Sequence, residues 1–97
     1  LRYVDGGKPV HRVAVGGGAC ASELQDAVNA GCDTFVTADV KYNQFWDAHD
    51  LGLNLIDAGH FATENPVVSL LAAKIAAEFP EISVEISKTH RDCMKFF

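Results

Sequence analysis

The sequence has no run of basic residues, no CxxC pair and no unbroken apolar stretch of membrane-spanning length, and each absence argues against a class of function. Its eight Lys and Arg are scattered and outnumbered by 13 Asp and Glu, giving a net charge of −5. Such a chain offers no surface to neutralise a phosphate backbone, so no nucleic acid partner is expected. The three cysteines, Cys20, Cys32 and Cys93, are odd in number and lack the spacing of a zinc module or a disulfide framework. That usage suits a reducing compartment, and a cytoplasmic protein is the expectation. The longest apolar stretch, 67–79, is interrupted by Ser69, Lys74 and Glu78, well short of the roughly 20 residues a spanning helix needs. No membrane association is expected. An opening methionine and the zones of a signal peptide are also missing, which suggests a portion of a longer polypeptide.

What is present reads as one globular α/β unit over residues 1–97. Apolar residues make up 48% and charged residues 22% of the chain, the balance of a folded soluble domain. The opening segment predicts short strands near 2–4 and 10–15 around a turn at DGGKP, where glycine supplies positive φ at low cost. A helix over 21–30 follows, with Ser22 as candidate N-cap; Leu24, Ala27 and Val28 form its apolar stripe, and Gly31 closes it. A strand at 33–37 leads into a helix whose Tyr42, Phe45, Trp46 and His49 share one face, ending at Gly52. A third strand at 53–56 precedes a helix over 66–79 with Val67, Leu70, Leu71, Ile75 and Phe79 on one side. EISVEIS alternates Ile82, Val84 and Ile86 with polar residues, the pattern of an edge strand, before an irregular tail from Lys88. Strands separated by helices predict a mostly parallel sheet built from βα units with flanking helices, with an antiparallel edge strand as an option.

Three loops follow the carboxyl ends of these strands, where open α/β sheets collect ligands. In VAVGGGACASEL, Gly16, Gly18 and Ala21 satisfy a G-x-G-x-x-A spacing. That pattern allows a phosphate at a helix N-terminus, contact of Gly17 and Gly18 with a substrate, or only a tight βα turn. Cys20 in this loop has the further option of a lowered thiol pKa, against ordinary burial. In TADVKY, Asp39 is either an orienting carboxylate or a helix cap, and Lys41 either a substrate contact or a solvated side chain. In DAGHFATE, His60 and Glu64 stand four apart. On a helical turn they project on one face and offer a nitrogen and an oxygen to a divalent ion. The plain alternative is a helix start with a first-turn glutamate. Two ligands do not complete a site. His11 beside a strand, His49 in a helix and His90 in the tail are poor supplements.

Over DVKYNQFWDAHDLGLNLIDAGHFATE the sequence resembles the C-terminal segment of the Nif-three-like family. These are dinuclear-metal-centre proteins labelled GTP cyclohydrolase 1 type 2 homologues. The likeness extends through KPVHRVAVGGGA, T-x-D-V-K-Y at 37–42 and G-L-N-L-I-D-A-G-H-x-A-T-E at 52–64. The chain departs from the family pattern at Ala38, usually glycine, and at Asn43, often histidine. The resemblance implies that His60 and Glu64 are half of a two-metal centre. A His-His pair and an aspartate would come from an N-terminal half not contained in this sequence, and six copies would form a ring with the sites facing its cavity.

On that resemblance the expected cofactors are divalent ions of the Zn, Fe, Mn or Ni kind, with Asp39 or Asp57 holding an imidazole or a water. The expected activity is metal-dependent hydrolysis of a nucleotide-like or phosphorylated small molecule. A non-catalytic ring scaffold with a structural metal, and a nucleotide-binding regulatory domain built on the glycine turn, are the competing readings.

Overall fold

A computed structural model describes residues 1–96. Its four strands are β1 (Arg2–Val4), β2 (Val13–Val15), β3 (Thr34–Thr37) and β4 (Asn54–Asp57), in the spatial order β1-β4-β3-β2. The β2–β3 and β3–β4 ladders are parallel and the β1–β4 ladder is antiparallel. The sheet is therefore mixed rather than mostly parallel. The antiparallel edge is β1, at the start of the chain. EISVEIS forms no strand: it pairs with neither edge of the sheet and runs as irregular chain after α4. The turn at DGGKP does not join neighbours either; its two strands lie at opposite edges.

Four helices accompany the sheet: α1 (Leu24–Asn29), α2 (Tyr42–Asp50), α3 (His60–Glu64) and α4 (Pro66–Glu78). The first is shorter than its periodicity predicts because Ala21–Glu23 coils as a 3-10 turn. Ser22 sits inside that turn and donates to Glu23 Oε1 at 3.0 Å instead of capping the helix. Lys41 caps α2 through its backbone: its N–H donates to Gln44 Oε1 at 2.8 Å, half of a capping box.

The register explains where the core lies. Side chains alternate across a pleated strand, and Val4, Leu55, Phe35 and Ala14 fall in one transverse row. That row packs under Leu24 and Ala27 of α1 and Phe45 and Ala48 of α2. Two right-handed crossovers between parallel neighbours put both helices on this same face. The next row, Tyr3, Ile56, Val36 and Val15, faces the other way, and its ends are open, with Tyr3 70% and Val15 74% exposed. The helix α4 does not close that face: none of its residues is buried, and its apolar side, including Leu70 and Ile75, remains in contact with solvent.

One buried carboxylate fastens β4 to its surroundings. Asp57 accepts from the guanidinium of Arg2, from Val40 N–H at 3.2 Å and from Gly59 N–H at 3.1 Å. Burial pushes its pKa up, but the hydrogen bonds from Arg2, Gly59 and Val40 and the charge of Arg2 outweigh it, and the net value is lowered.

The one-sided core predicts an asymmetric response to truncation. Leu55→Ala, under the helices, should lower the unfolding free energy by about 3 kcal/mol, whereas Val15→Ala on the open face should change it by less than about 0.5 kcal/mol. Chemical denaturation measures both, and equal losses would show that the second face is covered. Asp57, with its lowered folded-state pKa, contributes stability above its unfolded value of about 3.9 and loses it as pH falls through the folded value. Asp57→Asn should therefore cost about 1–3 kcal/mol at neutral pH and flatten the acid limb of a stability profile; an unchanged limb would assign acid unfolding to other groups.

Candidate metal centre

The three loops predicted to converge do meet at the carboxyl edge of the sheet, and Gly18 is where they join. Its carbonyl accepts from the Thr37 hydroxyl at 3.0 Å and from Ala38 N–H at 3.0 Å, both at the end of β3. Its own N–H donates to Thr63 Oγ1 at 2.9 Å in α3. Thr63 in turn lies within hydrogen-bond reach of the Gly59 and His60 carbonyls, at 3.0 and 3.1 Å. The backbone of Gly18 is left-handed at φ +67°, and a Cβ there would collide with Glu64 Oε1 and come within 3.3 Å of His60 Nε2. Glycine is required both for the turn and for the room it leaves the two side chains. A Cβ on Gly17 would likewise lie 3.2 Å from the Thr63 carbonyl.

The segment carrying His60 and Glu64 is both a helical turn and the start of the longer helix. His60–Glu64 coil as α3, and Pro66, which has no N–H to donate, opens α4 one residue later. The two side chains therefore project from one face. His60 Nε2 lies 3.1 Å from Glu64 Oε2, while Nδ1 lies 2.6 Å from Asp39 Oδ2. Asp39 reaches this position from a left-handed backbone, φ 53°, the only positive φ outside glycine among the described residues. It does not cap α2; that role falls to Lys41.

These contacts fix the imidazole's chemistry. A ring with Nδ1–H donating to Asp39 turns the Nε2 lone pair toward an oxygen of Glu64. Two acceptors 3.1 Å apart repel unless something positive lies between them. A proton serves, and the His60 pKa is accordingly raised, first by the hydrogen bond to Asp39 and then by the charge of Glu64. A divalent cation would serve equally. Ligands about 2.1 Å from one ion stand roughly 3–3.4 Å from each other, so the spacing needs little adjustment. The carboxylate behind the far nitrogen is the arrangement that orients metal-bound histidines.

The other residues singled out by sequence are not drawn into this pair. Asp57 is engaged with Arg2, Val40 and Gly59, so it shapes the turn leading into α3. Lys41 does not line the cleft around His60 and Glu64, and neither does Asn43, which borders a groove between α1 and α2. Ala38 is fully buried. The Cys20 thiol donates to the Gly17 carbonyl at 3.2 Å. Three N–H groups of the glycine loop, those of Gly16, Gly18 and Cys20, already have partners within the fold, which leaves the loop poorly equipped as a phosphate cradle. His90, set aside above as a tail residue, is brought by the tail to a ring distance of 5.1 Å from Phe61, the neighbour of His60 in sequence. No periodic signal links residue 90 to residue 61. Among the described residues, no group of three His, Cys, Asp or Glu side chains gathers as a complete metal-binding set.

The architecture is that of an α/β protein whose His60, Asp39 and Glu64 meet at the carboxyl edge of its parallel strands. The family model for Duf34/NIF3 (NGG1p interacting factor 3) matches residues 1–93, and the chain belongs to that family. It is 38% identical over 88 residues to a GTP cyclohydrolase 1 type 2 homolog of Nostoc sp., covering 91% of this chain and 33% of the relative. To the homolog of Deinococcus radiodurans it is 41% identical over 75 residues, 76% of this chain and 28% of the relative. A Staphylococcus aureus protein of known crystal structure superposes with a TM-score of 0.80 at 31% identity, over 99% of this chain and 33% of that one. A Bacillus cereus protein related to NIF3 superposes at 0.73 with 31% identity, over 100% and 28%. The chain thus spans about a third of the length of these relatives.

The raised pKa of His60 has a definite sign. Its protonated form, bonded to Asp39 and Glu64, contributes to stability below the ordinary histidine value of about 6.5 and stops doing so as pH rises through the folded value. In metal-free protein the ring signals of His60 should titrate above about 6.5 by NMR, and Asp39→Asn or Glu64→Gln should bring the midpoint down. A midpoint unmoved by both substitutions would dissolve the electrostatic triad.

Proposed function

We propose that the chain supplies one half of a divalent-metal centre, His60 and Glu64 being ligands and Asp39 the carboxylate that holds the imidazole. The observation that carries this reading is the confrontation of His60 Nε2 with Glu64 Oε2 across 3.1 Å, with the far nitrogen committed to Asp39. An imidazole and a carboxylate suit Zn, Fe, Mn or Ni-like ions. Bound there, such ions supply Lewis acidity toward a phosphoryl or carbonyl oxygen and activate water.

The chain's own residues do the positioning. Asp39 fixes the tautomer of His60, Gly18 leaves the space that Glu64 fills, and Thr63 ties the α3 turn to the glycine loop. The remaining ligands belong, on this reading, to polypeptide outside these residues, consistent with relatives about three times as long. The activity proposed for the assembled protein is hydrolysis of a nucleotide-like or phosphorylated small molecule. The names of the relatives support a family-level assignment.

A second reading, a ring-forming scaffold whose metal is structural, draws on the apolar side of α4 and the open sheet face, which suit burial against further polypeptide or other copies. Turnover separates the two. No helix among the described residues is long and apolar enough to cross a membrane, and a cytoplasmic homo-oligomer remains part of the proposal.

The test uses the full-length polypeptide. Metal content by mass spectrometry should fall by at least half in the double variant His60→Ala, Glu64→Ala, while Asp39→Asn should retain metal with affinity lowered about 10- to 100-fold. Unchanged metal in the double variant would defeat the ligand assignment. Full metal with no hydrolysis of any phosphoester in a broad panel would leave the scaffold reading standing.

A further inference from the structure

The carboxyl edge has a second wall, made by the tail that follows α4. His90, Arg91 and Met94 line one cleft of about 560 Å³ together with His60, Phe61 and Glu64. The ring contact between His90 and Phe61, tilted by 44°, holds the tail against α3. The volume falls in the range of small-molecule sites, about 300–1,000 Å³.

The charges in this cleft are unevenly matched. Asp39, Glu64 and Asp92 contribute carboxylates, and Arg91 is the only Lys or Arg among the described residues that line it. Asp39 is already bonded to His60, and Asp92 Oδ1 accepts from Met94 N–H at 2.9 Å. Among the described residues the guanidinium of Arg91 makes no ion pair and no hydrogen bond, although carboxylates share its cleft. A planar fork of donors without a protein partner, on a residue that lines the same cleft as the imidazole and carboxylate pair, matches an oxyanion held between the two. The apolar lining from Phe61, Val67, Val68 and Met94 suits an uncharged body attached to that anion.

We propose that Arg91 is the anion-recognising residue of this cleft and that its ligand is a phosphomonoester with a flat apolar body, the phosphoryl group between Arg91 and the metal ligands and the body along Phe61 and His90. The assignment rests on the reading of His60 and Glu64 as metal ligands. It adds a specificity group from the tail, which neither the spacing of DAGHFATE nor the glycine loop indicates.

Phenyl phosphate is the probe, titrated by calorimetry into the full-length polypeptide loaded with Mn²⁺, with inorganic phosphate and benzoate as comparisons and metal content measured for every sample. Phenyl phosphate should bind more tightly than either comparison. Arg91→Met should weaken it about tenfold or more with metal content unchanged, and Arg91→Lys should recover part of the loss, having the charge without the fork. Unweakened binding of phenyl phosphate in metal-replete Arg91→Met overturns the role of Arg91. Equal, Arg91-dependent binding of benzoate and phenyl phosphate overturns the phosphate assignment. If wild-type protein takes up no metal and still binds phenyl phosphate through Arg91, the metal reading fails and the anion site stands.

Discussion

The backbone of Gly18 is the joint on which the site depends. Through one carbonyl and one N–H it ties the loop after β2 to the end of β3 and to α3. Each bond is individually modest, about 1 kcal/mol net, but together they fix the relative positions of three loops that share no long contact surface of their own. Rigid strands place the loop ends, and Gly18 removes the play that remains. The pairing of His60 with Asp39 and Glu64 follows from that fixation, since the three side chains come from two different βα connections.

The family and the βα rhythm were legible in the sequence because both are written locally. The strand-loop-helix order around Gly16, Asp39 and Gly59 predicts loops on one sheet edge, and that is where the structure has them. The spacing of His60 and Glu64 anticipates a shared helical face. What could not be read was decided by distant partners. Ser22 has the composition of a cap, yet the 3-10 turn absorbs it. Asp39 could by sequence be either a cap before α2 or an orienting carboxylate, and the imidazole 21 positions later decides between the two. Ile82, Val84 and Ile86 alternate as an edge strand should, yet the segment pairs with neither edge of the sheet. The arrival of His90 beside Phe61 depends on the path of a tail with no periodic pattern.

The sheet is dressed on one face only. The row through Leu55 and Phe35 is sealed by α1 and α2, while the row through Tyr3 and Val15 and the apolar side of α4 stay open. Hydrophobic stabilisation scales with the area removed from water, so part of what this sequence has to offer is unspent in the chain by itself. The site sits at the end of the sealed half. Its His60, Asp39 and Glu64 side chains are about half exposed, so further polypeptide can still reach them.

Asp39 carries two requirements at once. The left-handed backbone admits glycine, asparagine and aspartate with least strain, and the bond to His60 Nδ1 admits only a side chain with an acceptor oxygen at that reach. The overlap of the two sets is aspartate and asparagine. Evolutionary drift at this position is thereby narrowed to two residues, one charged and one neutral, and the choice between them sets how basic the imidazole is without moving it.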